Sequence, residues 1–307
     1  MEANGKKNVL ITGGSGFIGQ KLTQLLLENG FSVGILSRSK RTNQGDVRYY
    51  SWDIAEGKID KEALIQADYI VHLAGTNIAG GRWTEKRKKE ILSSRIDTLQ
   101  LLYRTIEKEN ISIEALISAS AVGIYGAFNS ERICDESTPP ASDFVGSVCQ
   151  KWEAAAEEFS SLRIRVVTIR TALVLGKKGG ILPILQPLFK NKLGAILGTG
   201  NQYMPWIHLT DLCRIYLAAI ENPTFTGPYN AATGGATTNR DFSKQLAKTY
   251  GYRIWLPAVP AFMLQIVLGK MSHLLLKGQQ LSIQKLQNTG FQFRFSSLEK
   301  AFEDLLL

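Results

Sequence analysis

The first half of the chain alternates short apolar runs with longer stretches in which apolar residues recur at three- and four-residue steps. Segments 8–12, 32–37, 47–52, 69–73, 115–119 and 166–170 read as strands. Segments 17–29, 84–109 and 144–160 carry the helical period. Strands that alternate with helices predict βαβ units, hence a parallel sheet covered on both faces. The expected fold class is α/β, a Rossmann-type doubly wound parallel sheet.

After about Leu175 the texture changes. Gly179, Gly180, Pro183, Pro187, Gly194, Gly198 and Gly200 interrupt the pattern, and segments 211–221, 239–250, 260–268 and 297–306 read as helices. The chain therefore divides into a nucleotide domain at 1–175 and a smaller, mostly helical lobe at 176–307, parts of which can return to the first domain. Its 307 residues are enough for that arrangement.

Composition narrows the picture little. Hydrophobic residues are 44% and charged residues 21%, an ordinary balance for a folded chain. The net charge of +9 is scattered, and its densest cluster, Arg82 with Lys86, Arg87, Lys88 and Lys89, reads as a solvated helix start, so no nucleic-acid partner is expected. Cys134, Cys149 and Cys213 are far apart, which signals neither disulfide framework nor metal site. Residues Met1 to Lys7 are polar and lead straight into a strand, and no run reaches the ~18 apolar residues of a span, so a cytoplasmic chain with no membrane partner is expected.

The chemistry begins at Gly13-Gly14-Ser15-Gly16-Phe17-Ile18-Gly19, between the first strand and the first helix. Gly13, Gly16 and Gly19 serve the tight turn, the approach of backbone to a pyrophosphate, and helix–strand packing. The N–H groups of Phe17, Ile18 and Gly19 then offer an anion site at a positive dipole end. The second strand ends Ser37-Arg38. An NAD site usually places an acid there, about 20 residues past the loop. Arg38 can instead grip a 2′-phosphate, with Ser37 adding a hydrogen bond, so the expected cofactor is NADP(H).

These residues resemble the extended short-chain dehydrogenase/reductase superfamily, the NAD(P)-dependent epimerases and dehydratases. The resemblance implies an adenine contact from Asp53, a turn beneath the cofactor at His72-Leu73-Ala74-Gly75, and an active-site serine at Ser120, followed by Tyr125-Gly126. More narrowly the chain resembles the atypical "epimerase family protein" branch, through Ser94-Arg95-Ile96-Asp97-Thr98, Trp152-Glu153-Ala154-Ala155, the stretch from Arg170 to Gly176, and Trp206-Ile207-His208-Leu209-Thr210-Asp211. The later matches, Leu268-Gly269-Lys270-Met271, Gly278-Gln279 and Gly290-Phe291-Gln292-Phe293, extend it nearly end to end. It also implies a substrate cleft between the two parts, lined by Arg170 to Leu173 and by the segment around Gly198 to His208, with Arg170 among the cofactor-binding residues, and homodimer pairing through a helix bundle as in many relatives.

One feature of the superfamily is missing. Its proton-transfer pair is spaced Tyr-x-x-x-Lys, because a phenol near pKa 10 needs a close cation to work near neutral pH. None of the ten tyrosines has lysine four residues later; Tyr125 has Asn129. Anchoring on Glu153 puts Val145 at the tyrosine position and Cys149 at the lysine position. Lys151 cannot substitute, since two helical residues are a rotation of about 200 degrees. Two classes stay open. One is an oxidoreductase or epimerase, its substrate unidentified, using other groups drawn from Ser120, Tyr125, Glu136, Cys149 and His208. The other is a non-catalytic NADP(H)-binding regulator. Pro139-Pro140 near Glu136 is expected to form a loop over the nicotinamide end.

Overall fold

The computed structural model describes residues 6–39, 41–126 and 130–307; residues 1–5, where most of the polar leader falls, lie outside them. In β1 (Asn8–Thr12), Val9 and Ile11 face one side while Leu10 faces the other, the two-residue period of a strand covered on both faces. Helix α1 (Phe17–Glu28) follows, then β2 (Ser32–Ser37), β3 (Val47–Asp53), the short β4 (Lys58–Ile59), α2 (Glu62–Ile65) and β5 (Tyr69–His72). The long α3 (Glu85–Glu109) starts at Thr84, whose side chain accepts the Arg87 N–H, and ends at a left-handed Asn110. Next come β6 (Ala115–Ala121), β7 (Ser130–Cys134), α4 (Phe144–Glu157) and β8 (Arg165–Thr171).

The remaining elements are β9 (Leu173–Gly176), β10 (Gly179–Gly180), α5 (Leu182–Lys190), β11 (Trp206–His208), α6 (Leu209–Glu221), β12 (Gly227–Ala231), α7 (Asn239–Thr249), α8 (Ala261–Leu268), α9 (His273–Leu276), β13 (Gln279–Leu281), α10 (Gln284–Gln287) and α11 (Leu298–Leu306). The large sheet has the order β12-β8-β6-β5-β1-β2-β3-β4, parallel throughout except for the β3–β4 edge. This is the doubly wound α/β sheet that the alternation predicts. Its order reverses between β1 and β5, which opens a crevice at their carboxyl ends.

One face of the sheet is covered by α1 and α6, through Leu22, Leu26, Leu212 and Ile215; the other by α3 and α4, through Leu99, Leu102, Ile106 and Trp152. All but Trp152, which keeps a thin exposed edge, are fully buried, and each contributes about 1.5–3 kcal/mol relative to exposure. The chain returns to this sheet late: α6 packs on it and β12 pairs with β8. Beside it, β10-β9-β11 form a three-stranded sheet packed against α7 and α11, where Phe242 and Phe302 meet edge to face at 5.2 Å. A parallel β7–β13 pair ties the tail to the loop after β6. Among the described residues no helix is long and apolar enough to cross a membrane, and no cluster of three or more His, Cys, Asp or Glu side chains could hold a metal ion.

Candidate active site

At the mouth of the crevice, Gly13 takes a left-handed φ of +70°, and a Cβ there would lie 2.9 Å from the Leu73 carbonyl. That contact brings the loop after β1 onto the Leu73-Ala74-Gly75 turn, where Ala74 N–H donates to Thr12 Oγ1 at 3.1 Å. A Cβ at Gly19 would lie 2.5 Å from the Gly13 carbonyl oxygen, so the first turn of α1 sits directly on the loop. No side chain caps α1, and no acid stands in its first turn. The N–H groups of Phe17, Ile18 and Gly19 therefore stand at a helix end that no side chain caps, the arrangement that suits a phosphate.

The Phe17 ring has a separate role. A Cβ at Gly176 would lie 2.4 Å from Phe17 Cζ, and one at Gly179 2.5 Å from its Cγ. The β9–β10 hairpin is thus glycine where it covers this ring, which locks the loop against the second sheet. At the end of β2, Arg38 is exposed and Ser37 Oγ accepts the Ser39 N–H at 3.3 Å. Asp53 is exposed after β3, and its Oδ1 accepts the N–H groups of Ala55 and Glu56 at 3.0 and 3.1 Å. Gly75 lies against Arg95, whose guanidinium is stacked 4.8 Å over Trp152 and donates to the Thr76 and Ile91 carbonyls.

Deeper in, the carboxyl ends of β6 and β8 meet α4 in a connected polar array. Glu153 accepts from Ser120 Oγ at 2.6 Å and from both Nε and Nη2 of Arg170, at 2.9 and 2.8 Å. Arg170 Nη1 donates to Tyr125 Oη and to the Glu136 carbonyl, each at 3.0 Å. Tyr125 Oη donates to Asn230 Oδ1 at 2.6 Å, and Asn230 N–H donates to the Glu136 carboxylate at 2.8 Å. Burial works against the charge of Arg170, but the Glu153 carboxylate outweighs it and holds the guanidinium above its ordinary pKa. All its nitrogens are engaged within the protein.

Of the groups proposed for proton transfer, the structure brings Ser120, Tyr125 and Glu136 into this array and leaves Cys149 and His208 outside its hydrogen bonds. Burial pushes the Tyr125 phenol up to about 12, despite the opposing Arg170 cation. That is the reverse of what the superfamily's lysine does for its tyrosine. Cys149 is buried with Val145, Ile124 and Cys134, and its thiol is pushed up to about 12. A Cβ at Gly123 would lie 2.5 Å from Val145, so apolar packing fills the ground where the usual pair would stand. His208 caps α6 through Nδ1, stacks on Phe295 at 3.8 Å, and is held below its usual pKa by burial. Sequence reasoning did not single out Asn230 or give Glu153 a chemical role. The Glu153 signal was present, as a carboxylate one helical turn past the lysine position.

A dinucleotide crevice with a polar array at its inner end defines the class. The model of the NAD dependent epimerase/dehydratase family matches residues 9–232, and the chain belongs to that family. A second model, a domain of unknown function, matches residues 259–305. Within the family, the chain is 38% identical over 300 residues to the epimerase family protein YfhF of Bacillus subtilis, covering 97% of this chain and 98% of that one. The structure of the human epimerase family protein SDR39U1 with NADPH is similar at TM-score 0.84 and 33% identity, over 97% and 98% of the two chains. A nucleoside-diphosphate sugar epimerase from Corynebacterium glutamicum is similar at TM-score 0.79 and 30% identity, over 98% of this chain and 58% of that one.

Proposed function

We propose that the protein binds NADP(H) and acts as an oxidoreductase or epimerase on a small carbonyl or sugar-nucleotide substrate, without a Tyr-x-x-x-Lys pair. The observation that carries this reading is the joint presence, at one end of the sheet, of the uncapped α1 terminus and the Ser120–Glu153–Arg170 array. Backbone of Gly13, Gly16, Phe17, Ile18 and Gly19 would hold the pyrophosphate, Ser37 and Arg38 the 2′-phosphate, and Asp53 the adenine end. Leu73, Ala74 and Gly75 would form the floor. The human relative bound to NADPH supports the choice of NADP(H), as does the absence of an acid after Ser37. When bound, the nicotinamide supplies hydride exchange with a carbon that bears oxygen.

The chain's own groups then do the rest. Ser120 Oγ donates its own proton to Glu153 and accepts that of a substrate hydroxyl, so the proton released as hydride leaves passes through Ser120 to the Glu153 carboxylate, which also fixes the serine rotamer. Arg170 grips both Glu153 oxygens and is proposed to support the cofactor side of the site. Tyr125 holds its proton at neutral pH, so it serves as a positioning residue for Arg170 and Asn230. The second reading, a non-catalytic NADP(H)-dependent regulator, is favoured by the apolar burial of Val145 and Cys149. Mixing the protein with NADPH and a panel of carbonyl compounds and sugar nucleotides, and following nicotinamide absorbance, separates the two. Turnover that Ser120→Ala removes while NADPH binding persists is the expected result. Stoichiometric binding with no turnover on any class selects the regulator.

A further inference from the structure

Helix α8 is apolar on nearly every side: of its eight positions, only Gln265 is polar. Such a helix is normally buried. Here Phe262, Ile266 and Val267 are 61, 71 and 66% exposed, and Met263 is exposed beside them. The patch continues into the neighbouring segment. Val259, just before α8, exchanges backbone bonds with Ile196 and Gly198 at 2.8 and 2.9 Å, and Trp255, 68% exposed, donates its indole N–H to the Lys192 carbonyl at 2.9 Å. Leu193, beside that carbonyl, is exposed as well. Large exposed apolar patches on a folded chain mark interaction surfaces.

Charge selects the occupant. No Asp or Glu occurs between Asp241 and Glu299, nor between Glu158 and Asp211, two stretches that build this face; the start of α3 borders it as well, where Arg82 donates to the Ile266 and Val267 carbonyls and Glu85, near Lys270, is paired with Lys88. Lys190, Lys192, Arg253, Lys270 and Lys277 are exposed around it. A second copy docking by the same face would set these cations against their own duplicates, which disfavours a two-fold contact. An anionic bilayer surface meets both features: apolar side chains enter the acyl boundary, lysines and arginine stay among the headgroups, and an indole sits between. The span-length criterion does not bear on a short helix lying in the plane of the interface.

We propose that α8, with Leu193 and Trp255, is a peripheral docking face for anionic phospholipid membranes. Full-length protein is to be sedimented with phosphatidylcholine vesicles and with vesicles in which phosphatidylglycerol replaces a third of the lipid. Co-sedimentation with the second kind alone, weakened by salt, is expected. Phe262→Asp combined with Ile266→Asp should lower the partition by roughly tenfold or more, and Lys270→Glu with Lys277→Glu should lower it too. The melting temperature reports whether each variant folds. If the aspartate variant does not, Trp255 emission decides: a blue shift on anionic vesicles in the wild type, lost in Trp255→Phe, supports the proposal, and no shift overturns it. The idea is also overturned by no sedimentation with either vesicle, by equal sedimentation of a folded aspartate variant, or by a concentration-dependent dimer that this variant splits.

Discussion

Arg170 sits 5% exposed on β8 with one carboxylate to answer it, and that pairing sets how the residue can be tested. Removing one partner of a buried ion pair leaves the other charge uncompensated, which is far costlier than replacing both. Glu153→Gln should therefore destabilise the fold by about 3 kcal/mol, read from urea unfolding. Tyr125→Phe removes both the donor to Asn230 and an acceptor of the buried Arg170 guanidinium, and should cost about 1.5–3 kcal/mol. Because the phenol keeps its proton, this variant should retain turnover wherever Ser120→Ala loses it; loss of turnover in both would make Tyr125 an acid–base group. At the other end of the crevice, Arg38 is an exposed cation with a charge-assisted bond to offer. Arg38→Ala should weaken NADPH by about ten- to a hundredfold and leave NADH nearly unchanged, as calorimetric titration of both coenzymes would show. Equal losses would remove the 2′-phosphate assignment.

The same economy of contacts operates between elements, where the β9–β10 hairpin closes over Phe17. Gly179→Ala forces a methyl group into the ring and should cost about 1–3 kcal/mol as overpacking. It should also weaken NADPH binding, because the ring and the phosphate-facing N–H of Phe17 belong to one residue. A variant that melts lower but binds NADPH unchanged would disconnect the hairpin from the loop. The elements that position the loop were legible in sequence because their periods are clean: β1 and β2 coincide with the segments read from the pattern, and α1 departs by one residue. β12 was not legible, since Gly227 and Pro228 argue against a strand, and only its place at the sheet edge, paired on one side with β8, tolerates them. Asn230 was lost with it. The glycine pair at 179–180 was read only as an interruption of the pattern, because nothing in one sequence says that a phenylalanine from the first loop lies over it.

Across the whole molecule, acid stability follows from where the histidines lie. The chain has three. His72, at the end of β5, is fully buried between Trp152 and Thr98, and burial depresses its pKa to about 3. His208 is depressed as well, by burial first. An unfolded histidine binds a proton below about 6.5, so between there and about 3 the unfolded state holds more protons than the native state. Stability is then fully present above the unfolded pKa and is lost as pH falls through this window, by at most about 1.4 kcal/mol per pH unit for each such histidine. The carboxylates with lowered pKa, Glu114 among them, act on stability from nearer pH 4 downward, where protonation removes their pairs. The interval from pH 6.5 to 4.5 therefore belongs to the histidines. Urea unfolding across it should give a slope that His72→Leu reduces by about one proton, whatever that variant does to stability at pH 7. The growing net charge at low pH acts on both proteins alike, so it cancels in the comparison. An unchanged slope would mean that His72 is protonated in the native state, and that the crevice floor beneath Leu73 admits a charge.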